Sequence, residues 1–307
     1  MEIIGPNVTV IIPTLNGAHF LKELLSIIKN QSLKNIEVIV IDSQSTDETR
    51  LIAKNFGVKL ITIPRAQYDH GGTRNLAATR ASGDYLVFLT QDSVPANSFT
   101  LEKLTLPLGK NKIIVSYGRQ IPRPGTKITD KFLRFYNYPS KSVVRSREDI
   151  KVMGIRAFQN SNACAAYCRR VFFEMGGFKS PVVSNEDMLF AAKAILAGYK
   201  VAYTADAVVY HSHNYNFTSL FKRYFDIAAS LEHEPIIKEL GNANSNGFKF
   251  LKEQLKYIKS EKKLYYISEA LLEAIFKYSG YKLGEHHHIF PSAIKKHLGF
   301  NKKYWSV

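Results

Sequence analysis

Short apolar runs alternate with amphipathic stretches over the first third of the chain. The runs are β-branched and nearly continuous, which is typical of strands that are covered on both faces. They predict four strands, at residues 8–12, 36–41, 58–63 and 85–89. The stretches between them have apolar residues at helical spacing, at residues 19–29, 47–56 and 73–81. Strands separated by helices indicate right-handed crossovers and an α/β fold with a mainly parallel sheet.

The pattern loosens after residue 113 and changes again after Asn216. Further strands are predicted at 113–117, 163–167 and near Val201 and Val208. A helix is predicted from about Asp187 to Gly198, since glycine is common just past a helix end. After Asn216 the sequence is rich in Lys, Tyr and Phe and lacks strand-like runs. We therefore predict two domains, an α/β domain over residues 1–216 and a helical region over residues 217–307.

The charge of the chain favours anionic partners. It has 42 Lys and Arg against 26 Asp and Glu, a formal charge of +16. Such an excess attracts nucleotide diphosphates, lipid phosphates, acidic membranes or nucleic acid. Residues 217–307 hold 15 basic and 9 acidic residues, so they carry +6 and the rest of the chain +10. Because the excess is spread along the chain, a dedicated nucleic-acid recognition element is disfavoured.

The cysteines and the apolar runs predict a cytoplasmic location. Cys164 and Cys168 form a C-x3-C pair, which fits neither a redox C-x-x-C nor half of a usual zinc site, so we expect buried thiols in a reducing compartment. The N-terminus lacks a basic region followed by an apolar core. No uncharged apolar run approaches the ~18 residues of a membrane span. Attachment to a membrane surface stays open.

Polar residues follow the first, second and fourth predicted strands. They are Pro13, Thr14 and Asn16 after the first strand, Asp42 after the second, and Gln91 and Asp92 after the fourth. Because open parallel sheets bind ligands beyond the carboxyl ends of their strands, these residues predict one cleft. Asp42 needs a hydrogen-bond donor there, and a pyrimidine N–H or a ribose hydroxyl would serve. Asp92 is either a ligand of Mg2+ or Mn2+ or a turn aspartate.

A glycine pair precedes the third predicted helix. Gly71 and Gly72 would leave backbone N–H groups exposed at the positive end of this helix, and Arg74 would add a bidentate phosphate donor. The alternative is a flexible turn with a surface arginine. These residues therefore favour, without proving, a phosphate site.

Two acidic residues and two histidines come later in the chain. Ser184 and Asp187 have the spacing of a helix capping box, yet the adjacent acids Glu186 and Asp187 could also supply a supporting acid and a base. His211 and His213 follow a predicted strand and would face the same side, where one could bind a metal. The run at residues 286–288 is predicted to be a solvated turn.

These segments together resemble glycosyltransferase family 2, in order and in spacing. They are residues 10–16, 40–47, 72–75, Asp92 and Glu186–Asp187. Within the family, the nearest resemblance is to bacterial rhamnosyltransferases. The segments that carry it are residues 70–75, residues 89–95 and the late pair Tyr304–Trp305. The resemblance spans residues 8 to about 213.

The resemblance implies a GT-A fold that binds a sugar nucleotide over the parallel sheet and transfers its sugar with inversion, in residues 1–216. It places Pro13, Thr14, Asn16, Asp42 and Gln91 at the nucleotide, Arg74 at the diphosphate, Asp92 with His211 or His213 at a divalent Mg2+ or Mn2+, and Asp187 as the base with Glu186 beside it. One departure is that Thr90 holds the position where many members carry the first acid of an Asp-x-Asp motif. We therefore expect a loosely held metal.

The predicted function is an inverting hexosyl transfer in the synthesis of a cell-surface polysaccharide. The predicted donor is dTDP-L-rhamnose and the acceptor a glycan or a lipid-linked glycan, with UDP-hexose or UDP-N-acetylhexosamine as the alternative donors. An inverting transfer needs no protein nucleophile, because a base activates the acceptor hydroxyl. A nucleotidyltransferase is disfavoured, since its glycine-rich stretch follows the first strand and not the third. A nucleic-acid-binding protein is the more distant alternative.

The helical region predicts a contact with an anionic membrane. Residues 248–259 place Phe248, Leu251, Leu255 and Ile258 on one stripe. Six lysines and two glutamates lie between Lys249 and Lys263. A basic amphipathic helix suits an anionic interface, which predicts a peripheral location on the inner face of the cell membrane. The alternative is that the stripe packs on the rest of the protein and the lysines face water.

Overall fold

The computed structural model describes residues 7–232, 234–235 and 243–306, except for the side chains of residues 243–246. The chain divides into two compact units. The first comprises the described residues up to Ile121, with Tyr138–Pro181 and Glu186–His211. The second comprises Pro122–Asn137, Val182–Asn185 and the described residues from Ser212 onward. Two short segments of the second unit therefore come from inside the first two thirds of the chain.

The first unit is built on one sheet, which has nine strands in the described residues. The strands are β1 (Val8–Thr14), β2 (Ile36–Asp42), β3 (Lys59–Thr62), β4 (Tyr85–Leu89), β5 (Val94–Pro95), β6 (Ile113–Ile121), β7 (Val143–Arg145), β8 (Cys164–Cys168) and β9 (Lys200–Tyr210). Their order is β3-β2-β1-β4-β8-β6-β9-β5, and β7 pairs with β9. The four strands predicted from the apolar runs are confirmed.

The strand pairing explains where polar residues meet. β1 pairs in parallel with β2 and β4, and β2 pairs in parallel with β3. Thr14 lies opposite Asp42 in the β1–β2 register, so the carboxyl ends of these strands are level. β8 runs antiparallel to both β4 and β6. The predicted parallel sheet is thus confirmed for its first half, while its second half is mixed.

The helices follow the strands in chain order. They are α1 (Ala18–Lys29), α2 (Thr49–Asn55), α3 (His70–Ala78), α4 (Thr100–Thr105), α5 (Ile128–Asn137), α6 (Ile150–Met153), α7 (Arg169–Glu174), α8 (Glu186–Leu196), α9 (Phe217–Leu231), α10 (Ala243–Ser260), α11 (Ile267–Glu285) and α12 (Ser292–Leu298). In α1, Leu21, Leu24, Leu25 and Ile28 are buried at helical spacing and join the main core of the sheet.

The second unit is helical and packs tightly where glycines allow it. A Cβ atom at Gly280 would lie 2.2 Å from the carbonyl oxygen of Phe221, and one at Gly284 would lie 2.3 Å from that of Phe225. Because glycine has no side chain, the backbones of α9 and α11 come into direct contact there. A separate small core joins α5, α10 and α11 through Ile128, Ile258 and Ala270.

The C-terminal segment is held by a buried aspartate of α9. Oδ1 of Asp226 accepts a hydrogen bond from the indole Nε1 of Trp305 at 2.8 Å. Its Oδ2 accepts from the backbone N–H groups of Phe300 at 3.0 Å and Asn301 at 2.8 Å. Burial raises the pKa of Asp226 to about 6, although these hydrogen bonds lower it. The three donors fasten the end of the described chain to α9.

The structure corrects two sequence-based expectations for the second unit. The stripe predicted over residues 248–259 is divided, since Ile258 is fully buried while Phe248 is 76% exposed. The solvated turn at residues 286–288 is wrong for His287, whose Nε2 lies 2.8 Å from Oε2 of Glu232 in a largely covered position. His288 contacts the other oxygen of Glu232 at 3.0 Å.

Two further features of the described chain are the state of its cysteines and the character of its helices. Cys164 is buried, Cys168 is half-buried, and neither forms a disulfide. Within the part of the chain that the structure describes, no helix combines the length and the apolar character needed to cross a bilayer.

Candidate active site

Asp42 ends β2 with its carboxylate fully buried. Its Oδ1 accepts a hydrogen bond from the hydroxyl of Thr14 at 3.1 Å, and its Oδ2 accepts from the backbone N–H of Ser45 at 2.9 Å. The Ser45 hydroxyl also donates to Oδ1. The protein therefore supplies the donors that the sequence analysis sought in a nucleotide, and Asp42 organises the loop after β2.

The loops after β1 and β4 are tied together by Gln91. Its Oε1 accepts from the backbone N–H of Leu15 at 2.9 Å, and its Nε2 donates to the carbonyl oxygen of Leu15 at 3.3 Å. Asn16 has a positive φ of 48°, and its Oδ1 accepts from the N–H of Thr46 at 2.9 Å. Pro13 is half-buried beside them. The polar residues predicted at these three strand ends therefore lie together, on one edge of the sheet.

The glycine pair at the start of α3 is explained by close packing. A Cβ atom at Gly71 would lie 1.9 Å from the carbonyl oxygen of Lys179, so only glycine fits. The N–H of Gly72 donates to the side chain of Asp69, which caps the helix. The N-terminus of α3 thus has protein partners of its own.

Arg74 lies inside the first unit and faces an acidic residue. Only 4% of the residue is exposed, so the alternative of a surface arginine is wrong. Its Nη1 lies 3.2 Å from Oε1 of Glu186 and donates to the carbonyl oxygen of His70 at 2.8 Å. The His70 Nδ1 lies 3.9 Å from the other oxygen of Glu186. The segment at residues 70–74 therefore surrounds Glu186 with positive charge and hydrogen-bond donors.

Glu186 and Asp187 begin α8, and Asn162 holds both. The Asn162 Nδ2 donates to Oε1 of Glu186 at 3.0 Å, and its backbone N–H donates to Oδ2 of Asp187 at 2.8 Å. Oδ1 of Asp187 accepts from the N–H of Met188 at 2.7 Å. The carboxylate of Asp187 is therefore directed towards the segment before β8, and one asparagine fixes the distance between the two acids.

Two further residues fix Asn162, and the sequence analysis missed all three. The Tyr167 hydroxyl donates to Oδ1 of Asn162 at 2.7 Å. The Nδ2 of Asn160 donates to the Tyr167 hydroxyl at 2.7 Å and to the carbonyl oxygen of Asp187 at 3.2 Å. The signal that could have found them is the polar run Asn160-Ser161-Asn162, directly before an apolar strand.

The two acids have opposite pKa shifts. Burial raises the pKa of Asp187 to about 7, and the charge of Glu186 adds to the rise. Burial would also raise the pKa of Glu186, but Arg74, His70 and the hydrogen bond from Asn162 together lower it below its ordinary value. Near neutral pH, Glu186 is therefore ionised while Asp187 can exchange a proton. A carboxyl group with this pKa suits general-base chemistry.

Asp92 lies beside His211, one of the two histidines that were predicted to join it. Nε2 of His211 is 3.5 Å from Oδ2 of Asp92. Both residues belong to the first unit, whereas His213 belongs to the second. The geometry therefore supports a metal site at Asp92 and His211, and the role predicted for His213 stays a prediction.

The chemistry of these donors fits a divalent cation. Nδ1 of His211 lies 2.9 Å from Oε1 of Gln120, whose Nε2 donates to Ser161. An amide oxygen at Nδ1 selects the tautomer that turns the Nε2 lone pair towards Asp92. A lone pair and a carboxylate repel each other unless a proton or a cation lies between them. A carboxylate beside an imidazole suits Mn2+ better than Mg2+, which prefers oxygen ligands.

Comparison with known proteins identifies the family of the chain. The model of glycosyl transferase family 2 matches residues 9–176. The O-antigen chain rhamnosyltransferase RfbN of Salmonella typhimurium is 39% identical over 97% of this chain and 96% of its own. The O-antigen chain rhamnosyltransferase WbaN of Salmonella anatum is 37% identical over 98% and 96%. These relatives match along nearly their whole length.

A solved structure confirms the fold. The mannosyltransferase PcManGT from Pyrobaculum calidifontis, in complex with GDP-Man and Mn2+, superposes with a TM-score of 0.60. The match covers 92% of this chain and 86% of that one at 18% identity. The predicted GT-A fold is therefore confirmed. The chain belongs to glycosyltransferase family 2 and is a glycosyltransferase.

Proposed function

We propose that the protein transfers L-rhamnose from dTDP-L-rhamnose, with inversion, to a glycan or a lipid-linked glycan during the synthesis of a cell-surface polysaccharide. The observation that carries the reaction type is the acid pair at the start of α8, in which Asn162 holds both carboxylates. The observation that supports the sugar is the likeness to two rhamnosyltransferases over nearly the whole chain, at 39% and 37% identity.

Asp187 is the general base in this proposal. Its carboxylate removes the proton of the acceptor hydroxyl while the hydroxyl oxygen attacks the anomeric carbon of the donor. The bond from that carbon to the diphosphate breaks on the opposite side, so the nucleoside diphosphate leaves with the electron pair and the sugar is inverted. A pKa of about 7 lets Asp187 take the proton near neutral pH.

Glu186, Arg74 and Asn162 position this base. The ion pair of Glu186 and Arg74 spans 3.2 Å in the interior, and Asn162 ties it to Asp187. Because these partners are held at fixed distances, the carboxylate of Asp187 needs no rearrangement before reaction. The diphosphate contact predicted for Arg74 stays a prediction, since this side chain faces Glu186.

Asp92 and His211 would hold a divalent metal, for which Mn2+ fits best, and the metal contact predicted for His213 stays a prediction. The bound cation would supply positive charge to the leaving diphosphate. The nucleotide would lie at the carboxyl ends of β1, β2 and β4. The residues assigned to it there are Pro13, Thr14, Asn16, Asp42 and Gln91.

Peripheral association with an anionic membrane on its cytoplasmic side completes the proposal. A lipid-linked acceptor would lie at a bilayer, and the chain carries a formal charge of +16. Positive charge draws a protein towards anionic lipid.

A donor panel tests the sugar. The purified protein is incubated with dTDP-L-rhamnose, UDP-glucose, UDP-N-acetylglucosamine and GDP-mannose, each with Mn2+ and with a chelator, and the released nucleoside diphosphate is measured. We expect the highest turnover with dTDP-L-rhamnose, and at least about tenfold less after the metal is removed, because the leaving group then lacks a counter-charge.

Two controls separate the outcomes of this experiment. Asp92→Asn should need more Mn2+ for half-maximal turnover, whereas Asp206→Asn, which changes an acid of β9 outside this cluster, should not. A clear preference for a UDP-sugar would replace the donor and keep the reaction type. If the donor is replaced by a nucleoside triphosphate and a sugar 1-phosphate, release of pyrophosphate would favour a nucleotidyltransferase.

A further inference from the structure

Helix α11 of the second unit packs on its neighbours through one face. Gly280 and Gly284 touch the backbone of α9, and Ala270 joins the small core with α5 and α10. Glu273 on the same face is buried, where it accepts a hydrogen bond from Thr129 at 2.8 Å and pairs with Lys277. The inner face of α11 is therefore covered by contacts within the second unit.

The opposite face of α11 is apolar and exposed. Leu271, Ile275 and Tyr278 recur at spacings of four and three residues, so they form one stripe. Their exposed fractions are 42%, 57% and 56%. At about 100° per residue, this stripe lies roughly half a turn around the helix from Gly280. Leu272 and Leu283 flank it and are also exposed.

A stripe of this kind indicates a binding surface. Single exposed apolar residues are ordinary, but an apolar stripe along a helix is normally covered. Leu264 and Tyr265 are also exposed, in the turn that leads into α11. Contiguous apolar patches mark contacts with membranes or proteins.

The charges around the stripe favour an anionic bilayer as the occupant. Lys262 and Lys263 come directly before the exposed turn. Lys282 follows the stripe, where its ammonium lies 6.0 Å from the ring centre of Tyr278 and pairs with Glu285 at 2.7 Å. Between Lys249 and Lys263 there are six lysines and two glutamates. A second copy of the chain would bring two surfaces with this excess of lysine together, which like-charge repulsion opposes. Lysine and tyrosine instead suit a headgroup region, where apolar stems are buried and polar ends stay wet.

We propose that the outer face of α11, defined by Leu271, Ile275 and Tyr278 with the lysines beside it, docks on anionic lipid. This inference rests on the membrane association proposed above and names the surface that makes it. Because Ile258 is buried, the stripe predicted on α10 cannot contact lipid along its whole length. We therefore assign the apolar part of the contact to α11.

Vesicle co-sedimentation of the full chain tests this inference. Phosphatidylcholine vesicles contain from none to about half phosphatidylglycerol. We expect binding to rise with the anionic fraction and to fall with salt, because each lysine near the surface adds attraction. Leu271→Ser combined with Ile275→Asp should weaken binding by about tenfold or more, since two apolar side chains no longer enter the interface. Lys262→Gln combined with Lys263→Gln should weaken it only on anionic vesicles.

A matched control is Leu51→Asp, which places a charge at an exposed leucine of the first unit, 55% exposed. It should bind vesicles like the wild type. Circular dichroism and release of nucleoside diphosphate from the donor check that each variant is folded, and the latter also tests the proposed reaction independently of lipid.

Each remaining outcome decides the inference. If the wild type binds vesicles and the α11 double variant binds equally well, membrane association stands but this surface is wrong. If the wild type binds no vesicle of any composition, both are wrong. If the wild type is a dimer in sedimentation analysis and the double variant is a monomer, the face receives a second copy and the lipid proposal is overturned.

Discussion

Two aspartates with raised pKa values, one in each unit, differ in what surrounds them. Burial raises the pKa of Asp187 to about 7 and that of Asp226 to about 6. Both accept backbone N–H groups, Asp187 from Asn162 and Met188, and Asp226 from Phe300 and Asn301. The direction of the pKa shift and the backbone hydrogen bonding are therefore similar at the two sites.

The neighbouring side chains separate the two sites. Beside Asp187 lies a second carboxylate, Glu186, which is kept ionised by Arg74. Beside Asp226 lies the indole of Trp305, which donates a single hydrogen bond at 2.8 Å. A raised pKa alone can come from a structural contact as readily as from a catalytic one. The adjacent acid and its counter-charge are the reason that we propose Asp187, and not Asp226, as the general base.

Replacing each aspartate by asparagine should produce the largest difference in kcat between the two sites. Asp187→Asn keeps the shape of the side chain but removes the base, so we expect kcat to fall by about 10²- to 10⁴-fold. Asp226→Asn should leave kcat close to the wild-type value. Turnover is measured at saturating donor, and donor affinity by titration with the nucleoside diphosphate. An Asp187→Asn enzyme within about threefold of the wild type would show that the pair is only structural, because loss of a general base costs far more.

Trp305→Phe should expose the structural role of the second site. The change removes one donor to a carboxylate, so we expect the free energy of unfolding to fall by about 1.5–3 kcal/mol, with kcat unchanged. Urea unfolding measures the loss. Tyr304→Phe is the matched control, since it alters the adjacent aromatic residue without removing the indole donor.

The pH dependence of this loss provides a second test. The pKa of Asp226 is about 6 in the folded state, above its ordinary value of 3.8. A raised carboxyl pKa means that the folded state holds the proton more tightly, so stability falls as pH rises from about 4 to about 6. Trp305→Phe removes a bond that favours the ionised form. Its deficit should therefore be larger at pH 8 than at pH 5, and an equal deficit would point to lost packing alone.

The sequence was most informative where the structure is local. The apolar runs of β1 to β4 and the helical spacing of residues 19–29 depend on neighbours along the chain, and the elements that they predict were confirmed. β8 was predicted as a strand, but its antiparallel place between β4 and β6 depends on distant pairing, which periodicity does not encode. The two-residue strand β5 was missed because it is too short to show a period.

The same distinction holds at the candidate site. Glu186 and Asp187 attracted notice as adjacent acids, yet the capping spacing left their role open. The contacts that distinguish them come from Arg74 and Asn162, which lie far away in sequence. Asp42 is a second example, since Ser45 and Thr14 donate to it within the protein, and its assignment to the nucleotide stays a prediction. A sequence shows which residue types are present, but burial and partners decide what each can do.

Glu186→Gln tests the effect of the neighbouring carboxylate on Asp187, and it should cause the smallest change in rate. As the base, Asp187 must be ionised, so the wild-type rate should rise with pH through about 7. The charge of Glu186 raises this pKa and that of Arg74 lowers it. The glutamine variant keeps Arg74 but loses the opposing charge, so the acidic limb of the pH–kcat profile should move to lower pH. At pH 7 the ionised fraction of the base can then rise at most about twofold.

Trp305→Phe is the control for this profile. It should keep the wild-type acidic limb, because Asp226 takes no part in the proposed reaction, and circular dichroism checks that both variants stay folded. An acidic limb that stays in place, or moves to higher pH, would show that the charge of Glu186 does not raise the pKa of Asp187. The neighbouring carboxylate would then no longer distinguish Asp187 from Asp226.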